Sequence, residues 1–271
     1  MSASQAASSE VAGVLAGSPH VLISGGSRGL GFALGERLAA GGARVTLVAR
    51  GEAELAQAAR IASAGGRVVA IAADVGDAAA AGVIAGRAAQ AFGAVDVLVH
   101  AASTLGPVPL RLLLDTAEAD LERAFAVNVA GPFRLTRAIA GSMLVRGGGT
   151  VVFVSSDAAV EAYPRWGAHG ATKAAADHLA RTFAAELEGT GVRVVAVDPG
   201  EMATRMHADA VPDADPATLA DPRDVAAIVA AVIADETRAP SGARVVASRW
   251  GSSGASSASG ASSASSVEVG R

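Results

Sequence analysis

The chain has 271 residues, a net charge of −4 and no cysteine. That length suits one large α/β domain, and the missing cysteines exclude disulfides and thiolate metal sites and accord with a reducing cytoplasm, the expected location. At 51% hydrophobic the chain cannot be disordered for most of its length, and with no run of Lys or Arg it is not expected to bind nucleic acid independently of sequence.

Residues 1–18 are rich in Ser and Ala and show no apolar period, so they read as a flexible segment. They lack the basic start and continuous apolar stretch of a secretory signal. From 19 to 250 short apolar runs alternate with helical stretches. The runs are His20–Ser24, Arg44–Ala49, Val68–Ala72, Val95–His100, Thr150–Ser155, Val192–Asp198 and Ala243–Ala247. Near-continuous runs of this kind suit strands buried on both faces of a parallel sheet, and the stretches between them can hold the crossover helices. The expectation is a single doubly wound sheet of about seven strands, the Rossmann arrangement. Aromatics are only 3%, so Ala, Val, Leu and Ile must build the core. The longest apolar run, Val225 to Ala234, is bounded by Asp224 and Asp235. It falls short of the ~20 residues that cross a bilayer and reads as a buried helix, so no membrane partner is expected. Residues 251–271, a Ser/Gly/Ala tract, read as a flexible tail.

The first strand runs into Ser24-Gly25-Gly26-Ser27-Arg28-Gly29-Leu30-Gly31, and a helical stretch, Phe32 to Ala40, follows. Strand, glycine turn and helix together bring backbone close to a pyrophosphate and offer it free N–H groups at a helix N-terminus. The second strand ends at Ala49-Arg50 without an acidic residue to accept from a ribose 2′-OH. Arg28 and Arg50 near that ribose would favour a 2′-phosphate, and hence NADP (NADPH).

The spacing of Gly25, Gly29 and Gly31 resembles the TGxxxGxG turn of the short-chain dehydrogenase/reductase family, with Ser24 in place of Thr. The resemblance extends over roughly residues 20 to 250. It implies that Asp74 contacts the adenine ring with Val75 beside it, and that Ala101 stands where the family has an Asn supporting the central sheet. It also implies that Pro199 and Gly200 lie beside the nicotinamide and that Thr204 bonds the carboxamide. The family's catalytic set is Asn, Ser, Tyr and Lys. Asn128, Ser156 and Lys173 match three of these, with Ser155 as a structural neighbour. In the Tyr-x-x-x-Lys motif this chain reads His169-Gly170-Ala171-Thr172-Lys173.

His169 therefore has three readings. It is the general acid, its pKa near 6.5 making both states accessible and a neutral ring still able to donate to a carbonyl. Alternatively, hydride transfer survives with a proton from water or substrate, or the chain binds NADP without redox turnover as a partner or regulatory subunit. Tyr163, the single tyrosine, lies in a loop six residues earlier and reads as substrate wall. The segments Leu105 to Leu114 and Met202 to Pro216 would shape a partly apolar pocket. His100 reads as a packed strand-end residue and His207 as pocket wall; no metal motif is present. The resemblance implies an NADP(H)-dependent oxidoreductase, a ketoreductase for a small carbonyl or alcohol substrate, and a homodimer or homotetramer. In such oligomers the helix carrying Lys173 packs against a second copy, and the small residues Ala174, Ala175, Ala176, Ala180 and Ala184 would suit either that contact or packing within the domain.

Overall fold

The computed structural model describes residues 17–252. The expected flexible ends therefore lie outside the described residues, apart from Gly17, Ser18, Gly251 and Ser252. In chain order the elements are β1 His20–Ser24, α1 Gly29–Ala40, β2 Arg44–Ala49, α2 Glu52–Ser63, β3 Arg67–Ala72, α3 Ala80–Phe92 and β4 Val97–His100. There follow α4 Glu118–Phe125, α5 Gly131–Arg146, β5 Gly149–Val154, α6 Gly167–Glu186, β6 Val192–Asp198, α7 Arg205–Ala210, α8 Pro222–Ala234 and β7 Arg244–Val246. The strands form one seven-stranded sheet in the order β3-β2-β1-β4-β5-β6-β7, and every pairing is parallel.

Side chains alternate across each strand, and the two faces of the sheet bury different clusters. Val21 and Ile23 of β1 pack with Leu34 and Leu38 of α1 and Val225 and Val229 of α8. Leu22 packs on the opposite face with Ile84 of α3, Leu135 and Ile139 of α5, and Ala176 and Ala180 of α6. The run Val225 to Ala234 is thus a buried helix, as its flanking aspartates suggested; Asp221 caps it by accepting from the Arg223 N–H. The short side chains Ala176, Ala180 and Ala184 of α6 are spent against the sheet within the chain, while Ala174 is exposed. Among the described residues no helix is long and apolar enough to cross a membrane.

Element ends differ in informative places. The fourth strand starts at Val97, not Val95, because Asp96 turns its carboxylate onto the His20 N–H at 2.7 Å and onto Arg146. The first helix begins at Gly29, inside the glycine turn, so its first N–H groups face the strand ends. The seventh strand stops at Val246, and Ala247–Ser252 coils into a short helical turn that buries Trp250.

Candidate active site

The C-terminal ends of β1, β4, β5 and β6 open onto a cleft of about 810 Å³. It lies where the strand order reverses, between β1 and β4, the usual ligand position in a doubly wound sheet. Gly25, Ser27, Arg28, Gly29, Leu30 and Gly31 form one wall. Gly25 has φ +80°, and a Cβ there would lie 2.5 Å from the Ala102 backbone nitrogen. At Gly31 a Cβ would collide with the Gly25 carbonyl oxygen, with the Ala101 side chain just beyond. The turn and the β4 exit are therefore packed backbone to backbone. Arg28 precedes α1 without capping it, so the first-turn N–H groups remain available to an anion. These residues fit the pyrophosphate of a dinucleotide.

Beyond the turn, Arg28 and Arg50 both line the cleft, as expected. The sequence reading missed Glu54. Its carboxylate accepts from the Ser27 hydroxyl at 3.2 Å and sits 3.8 Å from Arg28 Nη1. Glu54 lies in the first turn of α2, four residues after Arg50. Asp74 and Val75 form the adjacent wall. One Asp74 oxygen accepts from the Gly76 N–H at 2.9 Å and the other is held by Arg123 of α4. Burial works to raise the Asp74 carboxyl, and these partners outweigh it and hold it below its ordinary value.

At the opposite end, Ser156, His169 and Lys173 line the cleft together with Pro199, Gly200 and Thr204. Thr204 caps α7 and faces the glycine turn, its Cγ2 lying 3.4 Å from where a Gly29 Cβ would stand. Asn128 sits behind this wall, in a single widened helical turn, Ala126–Ala130, between α4 and α5. Its Oδ1 accepts from the Thr104 N–H at 2.8 Å and the Ser103 hydroxyl at 3.2 Å. Its Nδ2 donates to the Thr104 carbonyl at 2.9 Å and to Thr172 Oγ1 at 2.8 Å. The amide is thereby at full capacity. Its side chain fixes the β4 exit.

The Thr104 carbonyl that Asn128 fixes is also the partner of His169, whose Nδ1 lies 3.1 Å from it. A carbonyl only accepts, so Nδ1 carries the proton and Nε2 is a bare acceptor. Burial first, and Lys173 second, push the His169 pKa down to about 4, so the ring is neutral near pH 7. In this arrangement the one N–H of the neutral ring is directed to the Thr104 carbonyl. Trp166 packs edge-on against the same ring at 5.8 Å.

Lys173, the chain's only lysine, donates to the Val154 carbonyl at 2.7 Å. Burial pushes its pKa down to about 8, against the pull of Asp177 and Asp198. Asp177 accepts from the Ser155 hydroxyl at 2.8 Å, which makes Ser155 the structural serine. Arg244 of β7 joins this group. It donates to Asp177 at 2.9 Å, to Asp198 at 3.1 Å and to the Ser156 carbonyl at 2.8 Å. Two buried carboxylates are thus offset by one ammonium and one guanidinium. Nothing in the local sequence around Arg244 signals this role, which arises from the pairing of β6 with β7.

Ser156 donates to Asp157 at 3.0 Å, and Tyr163 donates to the other oxygen of that carboxylate at 3.0 Å. Tyr163 and Trp166 both border the cleft, in keeping with the wall role expected of that loop. His207 borders it too, 3.5 Å from Glu201. His100 is fully buried, 2.8 Å from Thr136 Oγ1, and desolvation lowers its pKa to about 3. Among the described residues no cluster of three or more His, Asp or Glu could hold a metal ion.

A family profile described as short chain dehydrogenase matches residues 19–215. The chain belongs to the short-chain dehydrogenase family. The chain is 32% identical over 187 residues to 2-(R)-hydroxypropyl-CoM dehydrogenase of Xanthobacter autotrophicus, covering 68% of this chain and 75% of that protein. Matches to curated relatives span from 42% to 88% of those proteins' own lengths. Among solved structures, a short-chain dehydrogenase from Pseudomonas syringae superposes with a TM-score of 0.78 at 32% identity, over 84% of this chain and 94% of that one. Another, from Shigella flexneri and complexed with NADP, gives 0.77 at 26% identity, over 85% and 97%. Members of this family are oxidoreductases that bind a nicotinamide cofactor and act on small molecules.

Proposed function

We propose that the chain is an NADP(H)-dependent oxidoreductase that interconverts a small, partly apolar alcohol and its carbonyl compound. The observation that carries this reading is the cleft itself. A glycine turn that admits no side chain and an uncapped helix start lie at one end, with Ser156, His169 and Lys173 at the other. A bound nicotinamide supplies the redox chemistry, accepting or giving the hydrogen and electron pair. Gly25, Ser27, Gly29, Leu30 and Gly31 would hold the pyrophosphate, with Asp74, Val75 and Ala101 along the adenosine side. Lys173, Pro199, Gly200 and Thr204 would hold the nicotinamide riboside.

Arg28 and Arg50 support the 2′-phosphate, which would displace Glu54 from Arg28 by offering a stronger, doubly charged partner. Ser156 would meet the reacting oxygen. NADPH use favours carbonyl reduction in a cell, while the tautomer of His169 removes it as a ready proton donor for that direction. The family habit supports a homodimer or homotetramer working in the cytoplasm. Since α6 spends its alanine face internally, we assign the contact to the neighbouring aromatics Phe133 and Phe183, whose rings stack 6.1 Å apart.

The test is dinucleotide binding and turnover with NADPH and NADH compared at equal concentration against paired ketones and secondary alcohols. The expected result is a kcat/KM at least tenfold higher with NADPH. Equal values would remove the arginine argument, and binding without turnover would leave a cofactor-binding protein.

A further inference from the structure

The side chain that ties the reacting end together is one that neither the sequence reading nor the family pattern singles out. Asp157 receives the Ser156 hydroxyl on Oδ1 and the Tyr163 hydroxyl on Oδ2, each at 3.0 Å. Ser156 Oγ in turn accepts from the Ala158 N–H at 3.2 Å, an N–H it shares with Asp157 Oδ1 at 2.8 Å. A hydroxyl has one proton and two lone pairs, so with its proton directed to Asp157, Ser156 can offer the cleft only acceptor capacity. Ser156 lines the cleft, and the other group there, His169, also presents an acceptor, Nε2. Both groups that would meet a substrate oxygen are therefore set to receive a proton. A hydroxyl substrate complements them; a carbonyl oxygen does not.

We infer that Ser156 and Asp157 form the proton route of this chain, in place of the residue at 169. This inference rests on the oxidoreductase reading above. In alcohol oxidation the substrate O–H bond breaks as a new O–H bond forms at Ser156 Oγ. At the same time the Ser156 proton moves to Asp157 Oδ1, and the substrate oxygen becomes the carbonyl. The carbinol hydrogen and its electron pair pass to a bound oxidised nicotinamide, which balances the reaction. Asp157 is exposed and hands its proton to water. In the reverse direction Asp157 returns the proton through Ser156, so carbonyl reduction consumes a proton and alcohol oxidation releases one.

Asp157 acts through Ser156 and never touches substrate; Tyr163 holds the second carboxylate oxygen and so fixes the first. The charged and titratable groups around this pair are Glu161 and Glu201, which act on Tyr163, and His169, on which Asp157 itself acts. The hydrogen bond and charge of Asp157 raise the Tyr163 phenol above its ordinary pKa. Because Tyr163 is the chain's single tyrosine, its ionisation can be followed by absorbance with no cofactor present.

The experiment uses the full chain and its Asp157→Asn, Asp157→Glu and His169→Phe variants. Probes are NADP(H) with 1-phenylethanol and acetophenone, and with cyclohexanol and cyclohexanone, across pH. Dinucleotide binding is read separately by tryptophan fluorescence. Asp157→Asn is expected to bind dinucleotide as before, to lose about 100-fold in kcat with KM changed little, and to flatten the pH profile. Asp157→Glu restores the slope of the profile, and His169→Phe keeps its shape. The phenol pKa of Tyr163 falls in Asp157→Asn. An unaltered pH profile or an unaltered phenol pKa in Asp157→Asn overturns the route. A wild-type chain that binds NADP(H) but turns over neither pair overturns the route and leaves cofactor binding standing. A chain that binds no dinucleotide overturns both.

Discussion

The two ends of the cleft are built in different ways. The dinucleotide end is made of backbone: Gly25 at φ +80°, Gly31 against the Gly25 carbonyl, and the open start of α1. The acid–base end is made of side-chain hydrogen bonds whose directions decide what each group can do. Asn128 fixes Thr104, the Thr104 carbonyl accepts from His169, and Asp157 accepts from Ser156. A backbone site tolerates no added atoms but is indifferent to protonation. A side-chain site tolerates substitution but changes its chemistry with one proton.

The widest separation between the ends should come from His169→Tyr. A phenol is longer than an imidazole, and on the α6 face it carries an O–H that need not be spent on Thr104. Carbonyl reduction is expected to gain about 10²–10⁴-fold, the usual worth of a placed acid, with dinucleotide affinity unchanged. Steady-state rates and a binding titration on the same preparation check both halves. A gain in affinity rather than rate would erase the distinction between the ends.

Acid should loosen one end more than the other. His169 has a folded pKa of about 4 against an ordinary value of 6.5. Folding therefore keeps the ring neutral, and its contribution is fully present above pH 6.5. It is lost as pH falls toward 4, because the unfolded chain takes up the proton first. The size of this loss is about 3 kcal/mol. His169→Phe should remove that share, leaving the losses due to His20 and His100, whose pKa values burial also lowers. Urea midpoints at pH 7.5 and 5 measure it, and an equal acid loss in the variant would show that the ring is protonated in the native state.

The smallest effect expected falls at the backbone end. Gly31→Ala forces a Cβ into the Gly25 carbonyl, at a cost of about 1–3 kcal/mol in stability or turn geometry. Dinucleotide affinity should fall by one to two orders of magnitude. The Tyr163 phenol titration should not move, since that loop lies on the far side of the cleft. A shifted titration would mean that the two ends are mechanically coupled.

The same division explains what could be read from the sequence. Strand runs such as His20–Ser24 and Arg44–Ala49 were legible to the residue because a strand buried on both faces carries a nearly continuous apolar run. The glycine turn was legible because only glycine satisfies its backbone. The positions of Ser156, His169 and Lys173 on one cleft were also legible, through spacing and family pattern. Their roles were not, because a hydrogen-bond direction depends on partners brought from elsewhere in the chain. Thr104 lies 65 residues from His169, and Arg244 lies 67 from Asp177. Glu54 was overlooked beside Arg28 for a different reason: an acid in the first turn of a helix reads as ordinary dipole compensation.

The arginine of β7 has a consequence for how the protein is made. Asp177, Asp198 and Lys173 are all in place once β6 has emerged, but their charges do not balance until Arg244 arrives from the last strand. A chain whose translation stops short of residue 244 holds two buried carboxylates against a single ammonium. The final strand thus completes the charge balance of the reacting end, tying the last residues of the sheet to the side chains behind Lys173.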